Sequence, residues 1–239
     1  MRENILVLGS KPKLHIYNIK YNHIYSSNGS AEVASFYQKE FFKLPHTCIT
    51  SGRNFRKLIH IRSRIVKAKP NNLIVRNTEK NFDYKVFFKN NNIKVTRLSN
   101  LEQIKIQTFF LKRSYLDIIC AEIFFDTKIF SNFFKFIKST FIDRSLVGFS
   151  TGMFSCIYAL KNHPKANIIL SGISFVGGKH FYNSGSMSFR RGIIDKYLFM
   201  NICNKYKSRI FTNDYDLHKI SGISYLNNKN SIYYEDKSS

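Results

Sequence analysis

The sequence of 239 residues has few cysteines, few prolines and no long apolar run. Its four cysteines (Cys48, Cys120, Cys156 and Cys203) form no Cys-x-x-Cys pair, which argues against a disulfide framework and a zinc ribbon. Buried thiols in a reducing compartment are expected instead. With only four prolines, no internal repeat and no low-complexity linker, a single domain over residues 1–239 is expected. Two small domains are the alternative.

Apolar runs are too short for a membrane-spanning helix. None reaches the roughly 18 residues that a membrane-spanning helix needs. The first run, in MRENILVLGSKPK, is closed by Gly and Lys and is too short for a signal peptide. We therefore expect a cytoplasmic globular protein whose first apolar run is a strand.

Acidic residues are scarce, because 15 Asp and Glu stand against 38 Lys and Arg, for a formal net charge of +23. Such a balance attracts an anionic partner: nucleic acid, an acidic membrane surface, or a phosphorylated or carboxylated substrate. AT-rich coding, which also produces abundant Asn, Ile, Phe and Tyr, is an alternative explanation for part of the lysine excess. The charge alone therefore does not identify the partner.

Short apolar runs alternate with longer helical patterns along the chain. The runs predict strands at residues 4–9, 23–30, 46–52, 71–77, 166–175 and 208–213. Helices are predicted over residues 31–43, most of 101–143, 150–162 and 193–206, and residues 83–99 are predicted as further strand or irregular structure. This alternation indicates an α/β fold with a mostly parallel sheet. Because ligands bind beyond the carboxyl ends of such strands, residues 9–12, 28–30, 51–52 and 171–174 are expected at one functional edge.

The stretch LVGFSTGMFSCIYALKNHP, residues 146–164, predicts a helix that is apolar almost all the way round. The first amide groups of such a helix lack intrahelical acceptors. Ser150 or Thr151 can cap part of this turn, and the remaining amide groups form a ready site for an anion. A plain capped core helix is the alternative.

Residues 128–142 predict an amphipathic helix with two interpretations. One face is apolar and the other carries the polar residues Lys128, Ser131, Lys135 and Lys138. The helix either faces the core with a solvated lysine side, or lies against an anionic membrane or closes over a site. The apolar face consists of Ile129, Phe130, Phe133, Phe134, Ile137 and Phe141.

Three segments, in their order and spacing, resemble the sialyltransferase-like glycosyltransferases, above all the small bacterial sialyltransferases. They are LVLGSKPK after the first strand, SSNGS after the second, and FSTG before a buried helix that is followed by ANIILSGISF. The resemblance covers about residues 4–220. It implies a Rossmann-like α/β sheet with helices on both faces, in the GT-A-like sialyltransferase variant, and a small helical lid or membrane-facing region around residues 100–145.

The resemblance also implies an activity and a donor site. The enzyme would move a sialic acid-like or Kdo-like sugar from a CMP-sugar to a hydroxyl of a surface glycan of lipooligosaccharide, lipopolysaccharide or capsule. Two positions depart from the family: Lys11 replaces a glycine of its Gly-x-Gly-Pro loop, and Val176 stands where it has a tyrosine. The implied nucleotide-binding residues are Gly9, Ser10, Lys11, Pro12, Asn28, Ser150, Thr151, Gly152, Ser171, Gly172, Ile173, Ser174 and Tyr182.

The family's general base is a histidine shortly before the penultimate helix, a position that falls on Arg190 here. His180 is the nearest candidate for this role, with Asp195 next. Such a base takes the proton of the acceptor hydroxyl, while the helix start, the Tyr182 hydroxyl and nearby cations hold the phosphate as its charge grows. The other histidines are expected to be structural or on the surface: His15, His23, His46, His60, His163 and His218.

No metal or other cofactor is expected, because a CMP-sugar is a substrate with a single phosphate and the resembled enzymes need no metal. Asp214-x-Asp216 matches a pattern that holds a divalent cation in many other glycosyltransferases, but a structural role is expected here. The implied partners are the CMP-activated acidic sugar, a lipid-linked glycan acceptor and an anionic membrane surface, at the inner face of the cell membrane.

Two alternatives stay open. Aromatic residues interleaved with lysines, as in YKVFFKNNNIKV, suit a basic nucleic-acid-binding protein, although no helix-turn-helix, zinc-finger or RNP pattern accompanies them. A glycosyltransferase of another donor class on the same fold is the second alternative.

Overall fold

The computed structural model describes residues 2–11, 13–41, 43–76, 82–88, 92–124, 128–142, 147–175, 179–180, 183–186, 189–227 and 231–235. The strands are β1 (Asn4–Leu8), β2 (Lys13–Tyr17), β3 (His23–Ser27), β4 (His46–Ser51), β5 (Asn72–Arg76), β6 (Lys94–Leu98), β7 (Asn167–Ser171), β8 (Lys179–His180), β9 (Asn183–Ser186), β10 (Ile210–Thr212), β11 (Ser224–Tyr225) and β12 (Ser231–Glu235).

The helices are α1 (Ala31–Glu40), α2 (Gly52–Lys57), α3 (Ile59–Ala68), α4 (Asn100–Thr108), α5 (Tyr115–Ile123), α6 (Ile129–Ile137), α7 (Thr151–Asn162), α8 (Phe189–Met200), α9 (Asn204–Lys207) and α10 (Tyr215–Ser221). Short 3-10 turns cover Asn28–Ser30 and Lys85–Phe87, and a π-helical turn, Lys138–Ile142, continues α6.

Eight strands form one sheet in the order β11-β10-β7-β1-β3-β4-β5-β6. Every pairing between neighbours in this sheet is parallel. The chain runs outward from β1 through β3 to β6, returns to the centre at β7, and then runs outward on the other side. Strand order therefore reverses between β1 and β7, and such a switch point leaves a crevice at the carboxyl ends of the two strands.

Two apolar cores cover the two faces of the sheet. Because successive side chains of a strand point to opposite faces, Ile5 and Val7 of β1 join one core while Leu6 and Leu8 join the other. The first core is completed by α4 to α8 and α10, and the second by α1 to α3. The predicted α/β fold, a Rossmann-like and mostly parallel sheet between helical layers, is confirmed.

Several predicted boundaries need correction. The strand at residues 208–213 was expected to be the last, but β11 and β12 follow it, and β12 pairs antiparallel with β2, itself not predicted. Two helices, α2 and α3, were also not predicted. The single helix expected over residues 193–206 is broken after Met200, because the backbone at Ile202 bridges Leu111 and a new helix starts after Cys203.

The cysteines are free thiols. Cys48 and Cys156 are fully buried, as expected, whereas Cys120 and Cys203 are half-buried. Burial raises the pKa of Cys48 to about 12 and also raises that of Cys156, so both of these thiols stay protonated and unreactive near neutral pH.

The core-facing interpretation of residues 128–142 is wrong for most of its apolar face. Five of the six apolar side chains are exposed, and Ile137 alone packs partly against the core. The buried residues are instead Asn132, Phe136 and Thr140, which follow one another every four residues. Within the described ranges, no helix is long and apolar enough to cross a bilayer.

Candidate functional site

A cavity of about 170 Å³ opens at the carboxyl ends of the central strands, where the strand order reverses. Loops that follow β1, β3 and β7 form three of its walls, and the first turn of α7 forms a fourth. Its lining residues are Gly9, Ser10, Ser27, Asn28, Asn54, Ser150, Thr151, Gly152, Gly172, Ile173, Ser174 and Arg191.

Most of the predicted donor-binding residues meet in this cavity. The nine that line it are Gly9, Ser10, Asn28, Ser150, Thr151, Gly152, Gly172, Ile173 and Ser174. Ser171 lies behind the wall, fully buried, with its hydroxyl donating to the carbonyl oxygen of His15. Lys11 lines a neighbouring cavity, while Pro12 and Tyr182 lie outside the described residues.

The loops after β1 and β7 touch each other backbone to backbone. The Gly9 amide donates to the Ser171 carbonyl at 2.8 Å, and the Lys11 amide donates to the Gly172 carbonyl at 3.0 Å. A Cβ atom on Gly9 would lie 2.1 Å from the Gly172 oxygen, and Gly172 has a φ of +68°. Both positions need glycine, which brings the two loops close enough to form one wall.

The end of β3 is held by a small hydroxyl network. The hydroxyls of Ser27 and Ser30 both donate to the Leu8 carbonyl, at 3.0 and 2.9 Å. Asn28, with a φ of +52°, accepts a hydrogen bond on Oδ1 from the Thr50 hydroxyl at 2.9 Å. With Oδ1 engaged, the Nδ2 group of Asn28 is the end of the side chain that can donate to a ligand.

The first turn of α7 carries the group that best suits an anion. The Ser150 hydroxyl accepts from the Met153 amide at 3.4 Å, so this residue is the N-cap. The amides of Thr151 and Gly152 lie at the cavity wall. They belong to the first turn of the helix, whose amides have no carbonyl within the helix to donate to. The partial positive charge of a helix start adds to their attraction for a negative ligand.

Asp195 binds the backbone at the start of this turn. It is only 1% exposed, and its Oδ1 accepts a 2.7 Å hydrogen bond from the Ser150 amide. Burial raises the pKa of this carboxyl from 3.8 to about 6, against the opposing effects of the bond to Ser150 and of the Arg191 and Arg76 charges. Asp195 therefore holds the helix start in position from outside the cavity, since its side chain does not line it.

Two arginines add positive charge beside the cavity. Arg191 lines it and also donates through Nη1 to the Gly148 carbonyl at 2.7 Å and to Glu122 Oε1 at 3.2 Å. Arg76 is fully buried behind it, with its Nη2 donating to the Phe149 carbonyl at 2.9 Å. Burial lowers the pKa of Arg76 to about 9, which still leaves this guanidinium charged at neutral pH.

A second cavity, of about 430 Å³, adjoins the first and shares Gly172 with it. Lys11 lies here and forms ion pairs with Asp214 at 2.6 Å and with Asp216 at 3.8 Å. Asp214 also caps α10, because its Oδ1 accepts from the Leu217 amide. Among the described residues, no group of three or more His, Cys, Asp or Glu side chains is placed to hold a metal ion.

The candidate base His180 lies in β8, where its backbone pairs with Asn183 of β9, and its side chain is outside the described part of the chain. The structure also identifies three cavity residues that the sequence reasoning missed, Ser27, Asn54 and Arg191. Ser27 immediately precedes Asn28, which was predicted, so its position in the sequence could have identified it as a cavity residue. Asn54 and Arg191 sit within helices and carry no local sign of their place in the cavity.

The arrangement thus provides helix-start amides, an asparagine amide and an arginine around a small space, all of them hydrogen-bond donors. No protein-family model matches this chain, and no curated protein or solved structure matches it either.

Proposed function

We propose that the protein is a glycosyltransferase that moves a sialic acid-like or Kdo-like sugar from a CMP-sugar to a hydroxyl of a surface glycan. The observation that carries the proposal is that nine predicted donor-binding residues, from four separate stretches of sequence, line one cavity at the switch point of the sheet. Convergence of this kind is what a nucleotide site in a parallel sheet requires.

The charges of the two cavities suit different ligands. The 170 Å³ cavity offers the α7 amides, Asn28 and Arg191, which suit the phosphate and carboxylate of the donor. The 430 Å³ cavity carries Asp214 and Asp216 together with the rings of Tyr215 and Tyr225. The two carboxylates outnumber the Lys11 ammonium that pairs with them, so this cavity stays acidic and disfavours a second anion. Carboxylates and aromatic rings suit the hydroxyls and apolar faces of a neutral glycan. We assign the phosphate and carboxylate of the donor to the first cavity and the acceptor to the second.

The proposed reaction needs one proton transfer and one displacement. His180 takes the proton of the acceptor hydroxyl as its oxygen bonds to the anomeric carbon of the donor sugar. The bond between that carbon and the phosphate oxygen breaks, and CMP leaves with the electron pair. Donors at the start of α7 and Arg191 stabilise the charge that grows on the leaving phosphate. Asp195, buried below Ser150, acts as a positioning residue.

Thermal stabilisation by nucleotides tests the donor class. At a CMP concentration a hundred times its Kd, binding adds about 2.7 kcal/mol to the free energy of unfolding. For a chain of this length that corresponds to a rise in Tm of roughly 5 to 10 °C. We expect this rise with CMP in the presence of EDTA, and none with UDP, GDP or a short oligonucleotide. A rise with UDP or GDP plus a divalent metal would establish another donor class, and a rise with the oligonucleotide alone would establish the nucleic-acid alternative.

Two adjacent arginines on α8 provide a matched pair for the same assay. Arg191 lines the cavity, whereas Arg190 does not and donates to the Glu122 carbonyl instead. Arg191→Gln is expected to weaken CMP binding about tenfold or more, as the loss of a hydrogen bond to a charged group does. Arg190→Gln is expected to leave it within about twofold. Equal effects of the two variants would contradict the assignment of the phosphate to this cavity.

A further inference from the structure

The outer face of α6 and of the π-helical turn after it is apolar and exposed. The exposed fractions of Phe130, Phe134 and Phe141 are 83%, 68% and 63%. Large aromatic side chains in such numbers are rare on the surface of a soluble domain unless another apolar surface covers them. We propose that this aromatic face, together with the lysines beside it, docks on the surface of an anionic lipid bilayer.

The aromatic face is held in place by its opposite side. Asn132, Phe136 and Thr140 are buried, and Phe136 belongs to the core that covers this side of the sheet. The Asn132 side chain donates to the Ile123 carbonyl at 3.3 Å, and Asn100 of α4 donates to the Thr140 carbonyl at 3.0 Å. The helix is therefore attached along a stripe of every fourth residue, and its aromatic face points away from the fold.

Exposed lysines lie along one side of the aromatic face. Lys128, Lys135 and Lys138 are all exposed. At about 100° per residue, Lys138 lies roughly 40° around the helix from Phe134, so its stem can follow the lipid surface while its ammonium group reaches the headgroups. Aromatic residues beside lysines are the pattern of helices that lie in the bilayer interface.

The neighbouring helices α4 and α5 also expose large apolar side chains. Within the described part of the chain, nine of the sixteen exposed large apolar side chains fall between residues 100 and 142. Besides those of α6 and its turn, they come from α4 and α5: Leu101, Phe109, Leu116 and Phe124. The exposed apolar surface is therefore concentrated in this helical segment.

The charge of the chain favours lipid over a second copy of the protein. Two chains that each carry +23 repel each other, whereas the headgroups of an anionic bilayer attract such a chain. Each lysine near an anionic surface strengthens binding about fivefold, so the three together contribute roughly a hundredfold. This inference does not depend on the glycosyl-transfer proposal, because vesicle binding and CMP binding are measured separately.

Co-sedimentation with vesicles tests the docking. Vesicles of 30% phosphatidylglycerol in phosphatidylcholine are expected to bind the protein, and pure phosphatidylcholine is expected to bind it at least tenfold more weakly. Replacing Lys128, Lys135 and Lys138 together by Gln is expected to reduce binding to the anionic vesicles by roughly a hundredfold. The matched control replaces Lys39, Lys57 and Lys67, exposed on α1, α2 and α3 across the sheet, and is expected to change binding by less than fivefold.

A tryptophan reporter tests which face meets the lipid. The chain contains no tryptophan, so Phe130→Trp provides a single signal, expected to shift to the blue with anionic vesicles and to be quenched by brominated acyl chains. Ile59→Trp, at a position 69% exposed on α3, is expected to show neither change. Circular dichroism of each variant verifies that the fold is retained.

Four results would overturn the inference. They are equal binding to neutral and anionic vesicles, an equal loss of binding in the two lysine variants, and quenching of the Ile59→Trp signal but not of Phe130→Trp. The fourth is a lipid-free dimer, seen by analytical ultracentrifugation, that Phe130→Gln with Phe134→Gln dissociates, because a second copy would then cover this face.

Discussion

Replacing Asp195 by Asn is expected to remove a pH dependence from the stability of the protein. The carboxyl is buried, and burial raises its pKa from 3.8 to about 6 in the folded state. The folded protein therefore holds this proton more tightly than the unfolded chain does. The raised pKa stabilises the fold at pH values below the pKa of the unfolded state. This contribution is lost as the pH rises through the pKa of the folded state.

The magnitude follows from the difference between the two pKa values. A shift from 3.8 to about 6, at 1.36 kcal/mol per unit, corresponds to a total loss of roughly 3 kcal/mol in the free energy of unfolding. Roughly 2 kcal/mol of it falls between pH 4 and pH 7. Asn can keep the hydrogen bond that the Ser150 amide donates to Oδ1, so the variant retains the contact and lacks only the titration.

Urea unfolding of the wild type and of Asp195→Asn at pH 4, 5, 6 and 7 measures this effect. The stability of the wild type minus that of the variant is expected to fall by roughly 2 kcal/mol over this range. A difference that stays flat for Asp195, or rises with pH, would refute the reasoning, since it would mean that Arg76 and Arg191 outweigh the cost of burial.

Two further predictions concern the cavity. Gly9→Ala is expected to lower stability by at least about 1–3 kcal/mol, because the added Cβ would lie 2.1 Å from the Gly172 oxygen. Gly152→Ala, with its nearest neighbour at 3.8 Å, is expected to melt close to the wild type, and equal melting temperatures for the two variants would contradict the close approach of the loops. His180→Ala is expected to lower turnover by on the order of a hundredfold while CMP affinity stays unchanged. Near-normal turnover in a glycosyl-transfer assay would move the role of base to another residue.

The central strands, and the sheet edge at which their carboxyl ends meet, were predictable because their signals are local. The runs that became β1, β3, β4, β5 and β7 are apolar and short, and each is followed by Gly, Ser or Asn. In a parallel sheet the residues after such strands share one edge. The sequence was therefore sufficient to predict that Gly9, Asn28 and Gly172 lie together, which the structure confirms.

Two residues that reach the cavity from α2 and α8 were not predictable in this way. Asn54 lies on α2, which the sequence reasoning did not identify, and Arg191 lies on α8 far along the chain. The burial of Arg76 is a similar case, because its place depends on partners such as Gln103 and Phe149. An arginine at the end of a strand looks the same in sequence whether it faces water or the core.

By itself, the sequence determined the α/β class, the central strands and the chemical character of the residues at their carboxyl ends, because these follow from periodicity and short-range turn chemistry. Only the tertiary structure decided which side of α6 is buried. An amphipathic pattern predicts a helix with two unlike faces, but it does not say which of them packs against the protein. Here Asn132, Phe136 and Thr140 pack inward and the aromatic face is left outside, because burial is set by the neighbouring helices and the sheet rather than by the hydrophobicity of the helix alone.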